Sequence, residues 1–172
     1  MKSFKVTING APAAKIAART ALFDLIDAEE PQNDKTVAAY IDNKITELSD
    51  TISADCSVRF INILSPEGLR IYERSLIIML VKAAKELFPS RRVIIRHSVR
   101  FDIFFEMIGD SETLPEEVAA LEKRMRELVA RRIPFKRVEI PIDEAETLFK
   151  EKERQDLYNA IRERHRPYVV FY

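Results

Sequence analysis

The run Ser65-Pro66-Glu67-Gly68 constrains this chain more than any other feature, because it is the sharpest break in a sequence that has only 3 glycines among 172 residues. A cluster of turn-forming residues interrupts any helix or strand pattern. The pattern also changes across this one, with short alternating stretches before it and long helical periodicities after it. The break predicts two compact units, residues 1–65 and 66–172, each within the size range of small domains.

In the first segment, residues 3–8 alternate in polarity and Asn9-Gly10 follows, a dipeptide that tight hairpin turns prefer. Residues 13–17 then supply a second short strand. Thr20 is placed to cap a short helix carrying Leu22, Phe23, Leu25 and Ile26, which the Glu29 to Asp34 stretch breaks. Strands are expected at 37–41 and 57–63, with Ile45 and Leu48 on a polar excursion between them. The order is ββαββ.

The second segment opens on a helix at 71–88 that is apolar nearly all round in its middle, from Leu76 to Val81, as expected of a core helix buried on several sides. Pro89-Ser90-Arg91-Arg92 ends it. A hairpin of strands at 93–97 and 101–107 follows, with Phe101, Ile103, Phe105 and Met107 on one face. Thr113 and Glu116 form a capping-box pattern ahead of a helix whose Val118, Leu121, Met125, Leu128 and Val129 keep helical spacing to about Arg132. A strand at 136–142, a second capping pattern at Asp143 and Glu146, helices carrying Ala145, Leu148, Phe149 and then Leu157, Ala160, Ile161, and a strand at 168–172 complete an α+β reading. Ending on Val-Val-Phe-Tyr inside a strand suggests a domain truncated at its C-terminus.

Composition narrows the function classes. With 28 Lys+Arg against 28 Asp+Glu, no overall field draws the chain to nucleic acid or to an anionic membrane, so any such binding needs a local patch. One cysteine, Cys56, and two histidines exclude an internal disulfide and a self-contained Cys/His zinc site, which fits a reducing compartment. The N-terminus has no signal-peptide pattern, and the longest apolar run reaches about a third of the ~20 residues that a bilayer-crossing helix needs. A cytoplasmic protein without membrane contact is expected.

Several runs carry a family resemblance. Asn9-Gly10, Thr20 and Val37-Ala38-Ala39-Tyr40-Ile41-Asp42-Asn43-Lys44 leading to Glu47-Leu48-Ser49 resemble the TGS domain. That is a ubiquitin-like β-grasp module found at the front of threonyl-tRNA synthetases. Residues 68–76 (Gly-Leu-Arg-Ile-Tyr-Glu-Arg-Ser-Leu), Leu87-Phe88-Pro89, Val93-Ile94-Ile95-Arg96-His97-Ser98, Glu106, and Met125 through Pro134-Phe135 resemble the editing-like second additional domain of those synthetases. They are more similar still to the copy at the front of bacterial uridine-kinase-like nucleoside kinases.

The resemblance implies an accessory region that binds or positions a ligand. In a parent nucleoside kinase, a downstream P-loop domain in cis would hold ATP and Mg and phosphorylate the nucleoside. The present residues contain no Gly-x-x-x-x-Gly-Lys-Ser/Thr, and glycines at 10, 68 and 109 alone cannot build a phosphate nest. The alternative is a module that binds tRNA or another RNA, related to the N-terminal domains of threonyl-tRNA synthetase. A third reading, a hydrolase that clears misacylated tRNA, needs a general base. Where editing synthetases carry His-x-x-x-His, this sequence has Arg74 and Ile78, which can neither ligate a metal nor shuttle a proton. Phe101 and Asp102 replace the glycines that usually follow His-Ser in the family.

The residues themselves offer three candidate sites. His97 and Ser98 juxtapose an imidazole and a hydroxyl, with Glu106 on the partner strand as a possible orienting group; adjacent strand residues point to opposite faces, which favours ligand contact or structure over catalysis. Arg74 and Ser75, read as opening the central helix, suit an anion at a positive dipole end, or else an Arg74 pair with a carboxylate such as Glu106. Arg91, Arg92 and Arg96, extended by Lys85 and Arg100, form a basic run that nucleic acid would favour. His165 reads as solvated and Cys56 as inert.

Overall fold

The computed structural model describes residues 2–26, 35–99, 102–109, 112–151, 155–162 and 167–172, with the side chains of 97–99, 155, 156 and 162 excepted. Strands β1 (Ser3–Ile8), β2 (Ala14–Ala17), β3 (Thr36–Ile41), β4 (Lys44–Thr46) and β5 (Cys56–Asn62) precede helix α1 (Pro66–Leu87). There follow β6 (Arg92–Val99), β7 (Asp102–Ile108), α2 (Pro115–Ala130), β8 (Val138–Pro141), α3 (Ile142–Glu151), α4 (Gln155–Arg162) and β9 (Tyr168–Phe171). The fold is mixed α+β. It divides into two compact units, Met1–Val81 and Lys82–Tyr172, and the division falls inside α1. No helix among the described residues is long and apolar enough to cross a membrane.

The first unit is built on a five-stranded sheet of order β2-β1-β5-β3-β4, antiparallel except where β1 runs parallel to β5. Its alternating strands send Val6, Ala39 and Val58 to one face, where Leu22 and Ile52 complete a buried cluster. Phe4, Ile8, Ile16, Ile41 and Phe60 extend that layer. The cover is held by backbone pairing: Leu22 N–H donates to Asp50 O and Ile52 N–H to Thr20 O, each at 2.9 Å.

The first hairpin forms as expected. Asn9 and Gly10 adopt φ of 49° and 80°, and Ala11 N–H closes the turn on Ile8 O at 2.9 Å. The Asn9 side chain also accepts the Phe60 N–H at 3.0 Å, tying the turn to β5. Asn9→Ala would place a side chain poorly suited to the left-handed region there and remove that bond; a loss of about 1–2 kcal/mol in urea unfolding is expected.

Two local expectations are corrected in this unit. The short helix is a single 3-10 turn at Leu22–Leu25 with Ala21 at its N-cap, while the Thr20 hydroxyl donates backwards to Ala17 O at 2.9 Å. The polar excursion contains β4, joined to β3 by a two-residue turn in which Asp42 and Asn43 have φ of 46° and 68°. Asx residues tolerate that region, so the turn needs no glycine.

Helix α1 begins at Pro66, five residues earlier than its periodicity suggests. The Ser65 hydroxyl accepts the Gly68 N–H at 3.1 Å and donates to Asn62 O at 2.8 Å, and Pro66 fills the first helical position. The break in the sequence is thus where α1 starts. Residues 76–79 are half-buried and Val81 is exposed, whereas Leu80, Ala83 and Ala84 are buried, so the helix has one covered stripe instead of burial on several sides.

In the second unit β6 and β7 form the expected hairpin, and β8 pairs with β9 antiparallel. Ala145, Phe149 and Ile161 from α3 and α4 are buried with Ile140, Val169 and Phe171 of the β8–β9 ribbon against them, the Phe149 and Phe171 rings 5.6 Å apart. Helix starts again differ from the capping patterns, by one residue at α2 and by two at α3. Leu114 is the N-cap of α2 with Pro115 next, so Glu117 rather than Glu116 reaches back to the N-cap N–H, at 2.9 Å. Ile142 starts α3, which puts Asp143 inside the first turn. Of the stripe expected on α2, Leu121 and Leu128 are buried and Met125 half-buried, but Val118 and Val129 are exposed.

Candidate nucleic-acid interface

The β6–β7 ribbon carries most of the residues singled out by sequence. Ile103, Phe105 and Met107 turn inward, as alternation requires, while Phe104, Glu106 and Ile108 are exposed on the other face. Phe101 lies outside the described residues. Cross-strand pairing sets Arg92 opposite Ile108 and Ile94 opposite Glu106. Between Ile95 and Ser98 the register shifts: Ile95 pairs with Phe105 and Ser98 with Ile103, so Arg96 and His97 together span Phe104.

The three arginines of the basic run have different environments. Arg91 is only 8% exposed; its Nη1 donates to both Glu117 carboxylate oxygens at 2.6 Å and its Nη2 to Met107 O at 2.9 Å and the Thr113 hydroxyl at 3.4 Å. This guanidinium fastens α2 to the ribbon. The Leu114 N–H and then Arg91 hold the Glu117 carboxyl below its ordinary range. Arg92 stands on the surface at the start of β6. Arg96 is half-exposed and donates through Nε and Nη2 to Glu106 Oε2 at 2.9 and 2.8 Å, an exposed pair that further raises the guanidinium pKa.

Glu106 is therefore engaged by Arg96, its diagonal neighbour, and neither Arg74 nor His97 is needed to account for it. The His97 and Ser98 side chains lie outside the described residues, as do Arg100 and His165. Arg74 is exposed, and Ser75 donates its hydroxyl to Ile71 O at 3.0 Å, the preceding turn of its own helix. Because α1 starts at Pro66, both residues sit two turns inside it. The dipole argument for an anion there lapses, since that field is confined to the first turn.

Cys56 is half-buried, and burial, with Asp42 and Asp55 nearby, pushes its thiol pKa up, against nucleophilic use. Among the described residues, no three His, Cys, Asp or Glu side chains gather to hold a metal. Sequence reasoning missed Phe104, which is 50% exposed on the same face as Arg96. Strict alternation through β7 carried the signal, since it separates Phe104 from Phe105. An exposed ring beside arginines is the pairing that single-stranded nucleic acid uses, with guanidiniums for phosphates and the ring for a base.

No family model matches the chain. Curated relatives do: threonine–tRNA ligases of Francisella tularensis subsp. novicida and of Teredinibacter turnerae are 34% and 33% identical to it over 115 residues, 67% of this chain. The enzyme of Francisella tularensis subsp. holarctica is 32% identical over the same length. In each case the match spans only 18% of the relative's own length. A continuous stretch of 115 in 172 residues has to include residues 58–115, whichever end it starts from. The threonine–tRNA-ligase-like region thus contains α1 and the β6–β7 ribbon.

Proposed function

We propose that this chain is a tRNA-directed binding module, which holds or positions RNA and does not itself catalyse. The observation that carries this reading is the 34% identity to a threonine–tRNA ligase across a stretch that includes the ribbon. The ribbon's outer face supplies Arg92, Arg96 and Phe104 for contact, and the Arg96–Glu106 pair, being exposed, can be traded for a phosphate at little cost. Arg91 is left to the fold.

The finer assignments belong to the same proposal. A β-grasp, TGS-like domain at 1–65 is supported by the sheet order, with its first and last strands parallel at the centre. An editing-like domain at 66–172 is supported by the relatives. The ligase relatives favour the RNA module over an accessory region of a nucleoside kinase. That kinase reading, with ATP and Mg in a domain downstream, rests on the 68–76 and 93–98 runs alone.

Fluorescence anisotropy with labelled bacterial tRNA tests the reading. The protein binds at 50 mM salt, and Arg92→Glu with Arg96→Glu weakens binding at least tenfold and flattens the log–log salt slope by about 1.5 to 2, the share of two phosphate contacts. Phe104→Ala weakens it about tenfold and leaves the slope unchanged. An unaltered Kd in the double variant removes the ribbon from the interface.

A further inference from the structure

Between α2 and β8 lies a segment that takes no part in the ribbon face. Residues 131–137 read Arg-Arg-Ile-Pro-Phe-Lys-Arg, four cations and no acid in seven positions, and every one of them is exposed. From the proposed RNA-binding reading together with this geometry we infer that the segment is a second RNA contact, a strap that lies along a single-stranded stretch.

The conformation follows from the sequence. Helix α2 ends as Arg131 N–H donates to Glu127 O at 3.1 Å and Arg132 N–H to Val129 O at 2.9 Å, with Arg132 at φ 49°. Pro134 then bars a return to helix and biases Ile133 toward extended backbone. Regular structure resumes only at Val138, where β8 meets β9. Seven residues of extended chain reach up to about 23 Å, room for several phosphates of one strand.

The charge here differs in kind from the charge on α2. On that helix carboxylates interleave with the cations and neutralise them, as in Arg126–Glu122 at 2.6 Å and Arg124–Glu127 at 2.8 Å. In the strap, Arg137 pairs with Glu139, but among the described residues no carboxylate pairs with Arg131, Arg132 or Lys136. In a chain of zero formal net charge, this is a local concentration of positive field. Ile133 and Phe135 are 43% and 45% exposed, so the cations are interleaved with unburied apolar surface. A strand of RNA satisfies both: phosphates for the cations and a base face for the Phe135 ring. An acidic peptide would use the charge and leave the ring without a stacking partner. A membrane would need more apolar depth than one ring and one isoleucine provide.

The test uses the whole chain and a fluorescein-labelled uridine 12-mer, with tRNA, vesicles of three parts phosphatidylserine to seven of phosphatidylcholine, and poly-glutamate as parallel arms. We expect Arg131→Glu/Arg132→Glu/Lys136→Glu to weaken 12-mer binding at least 30-fold and to lower the salt slope by about 2, the value for three single-strand phosphate contacts. Phe135→Leu weakens it several-fold with no change of slope. Photocrosslinking of a 4-thiouridine 12-mer to the unaltered protein should mark the 131–137 peptide, a readout independent of variant folding. Crosslinks elsewhere only, an unaffected triple variant, or stronger binding to the vesicles or poly-glutamate overturns the strap. If tRNA binding then persists and still depends on Arg92 and Arg96, the module reading survives without it. If the unaltered protein binds neither RNA, both fall together.

Discussion

Gly68→Val should cost the first unit at least about 3 kcal/mol of stability, the upper end for forcing volume into a packed site. The glycine sits in the first turn of α1, pressed against the chain that leaves β5. A Cβ there would stand 2.0 Å from the Asn62 carbonyl oxygen, 2.6 Å from its carbon and 3.0 Å from the Ile63 Cα. All three are backbone atoms, so no side chain can swing aside; either β5 or the helix start has to move. Movement would also undo the cap, because the same Asn62 carbonyl accepts the Ser65 N–H and hydroxyl at 2.9 and 2.8 Å. Gly68→Ala should show much of the loss, although alanine is the better helix former. A circular-dichroism melt of Gly68→Ala within about 1 °C of the unaltered protein, a shift worth only a small fraction of a kcal/mol, would falsify this close approach.

Arg91→Ala should be the most damaging change in the second unit, lowering its Tm by about 10 °C. Truncation removes a nearly buried guanidinium and strands the Glu117 carboxylate and the Met107 carbonyl that it serves. Gly109 packs on the stem of the same side chain, where a Cβ would meet Arg91 Cγ at 2.9 Å, so a space opens as well. The ion pair has an acid-side signature. Glu117 titrates below the ordinary glutamate value of 4.5 in the folded unit, so its contribution is complete above that value and is lost as pH falls through the lowered one. Melts between about pH 3 and 6 should show this slope in the unaltered protein and a shallower one in Arg91→Ala. If Arg91→Lys matched the unaltered protein in both respects, bidentate geometry would not be what the site uses.

What the sequence disclosed tracks how local each signal is. Strict alternation at 3–8, and the looser period of two at 57–63 and 101–107, broken by Ile61 and Phe104, located β1, β5 and β7 because a half-buried strand writes its period into consecutive residues. Strand β4 was invisible: three residues are too few to show a period, and its turn is made by Asp42 and Asn43 without the glycine that usually advertises one. Helix starts slipped by one residue at Leu114 and by five at Pro66, since Pro115 and Pro66 fix the first helical positions while apolar spacing reports only the buried stripe. At the candidate interface, Arg91, Arg92 and Arg96 looked equivalent as neighbours in a basic run. Only the fold separates them, because the carboxylate that engages Arg91 is that of Glu117, 26 positions away. Phe104 was legible in principle, one step out of phase with the inward residues of its own strand.

The extra residue in β6 opposite Phe104 has a consequence for length variation in this arm. Deletion of Arg96 or His97 would cancel the bulge and leave the flanking pairs Ile95–Phe105 and Ser98–Ile103 as they are, whereas a one-residue change at Arg92–Ile95 that the bulge takes up moves the positions between it and the bulge to the opposite face. The site opposite Phe104 is therefore where this arm can lose a single residue without turning its outer face inward.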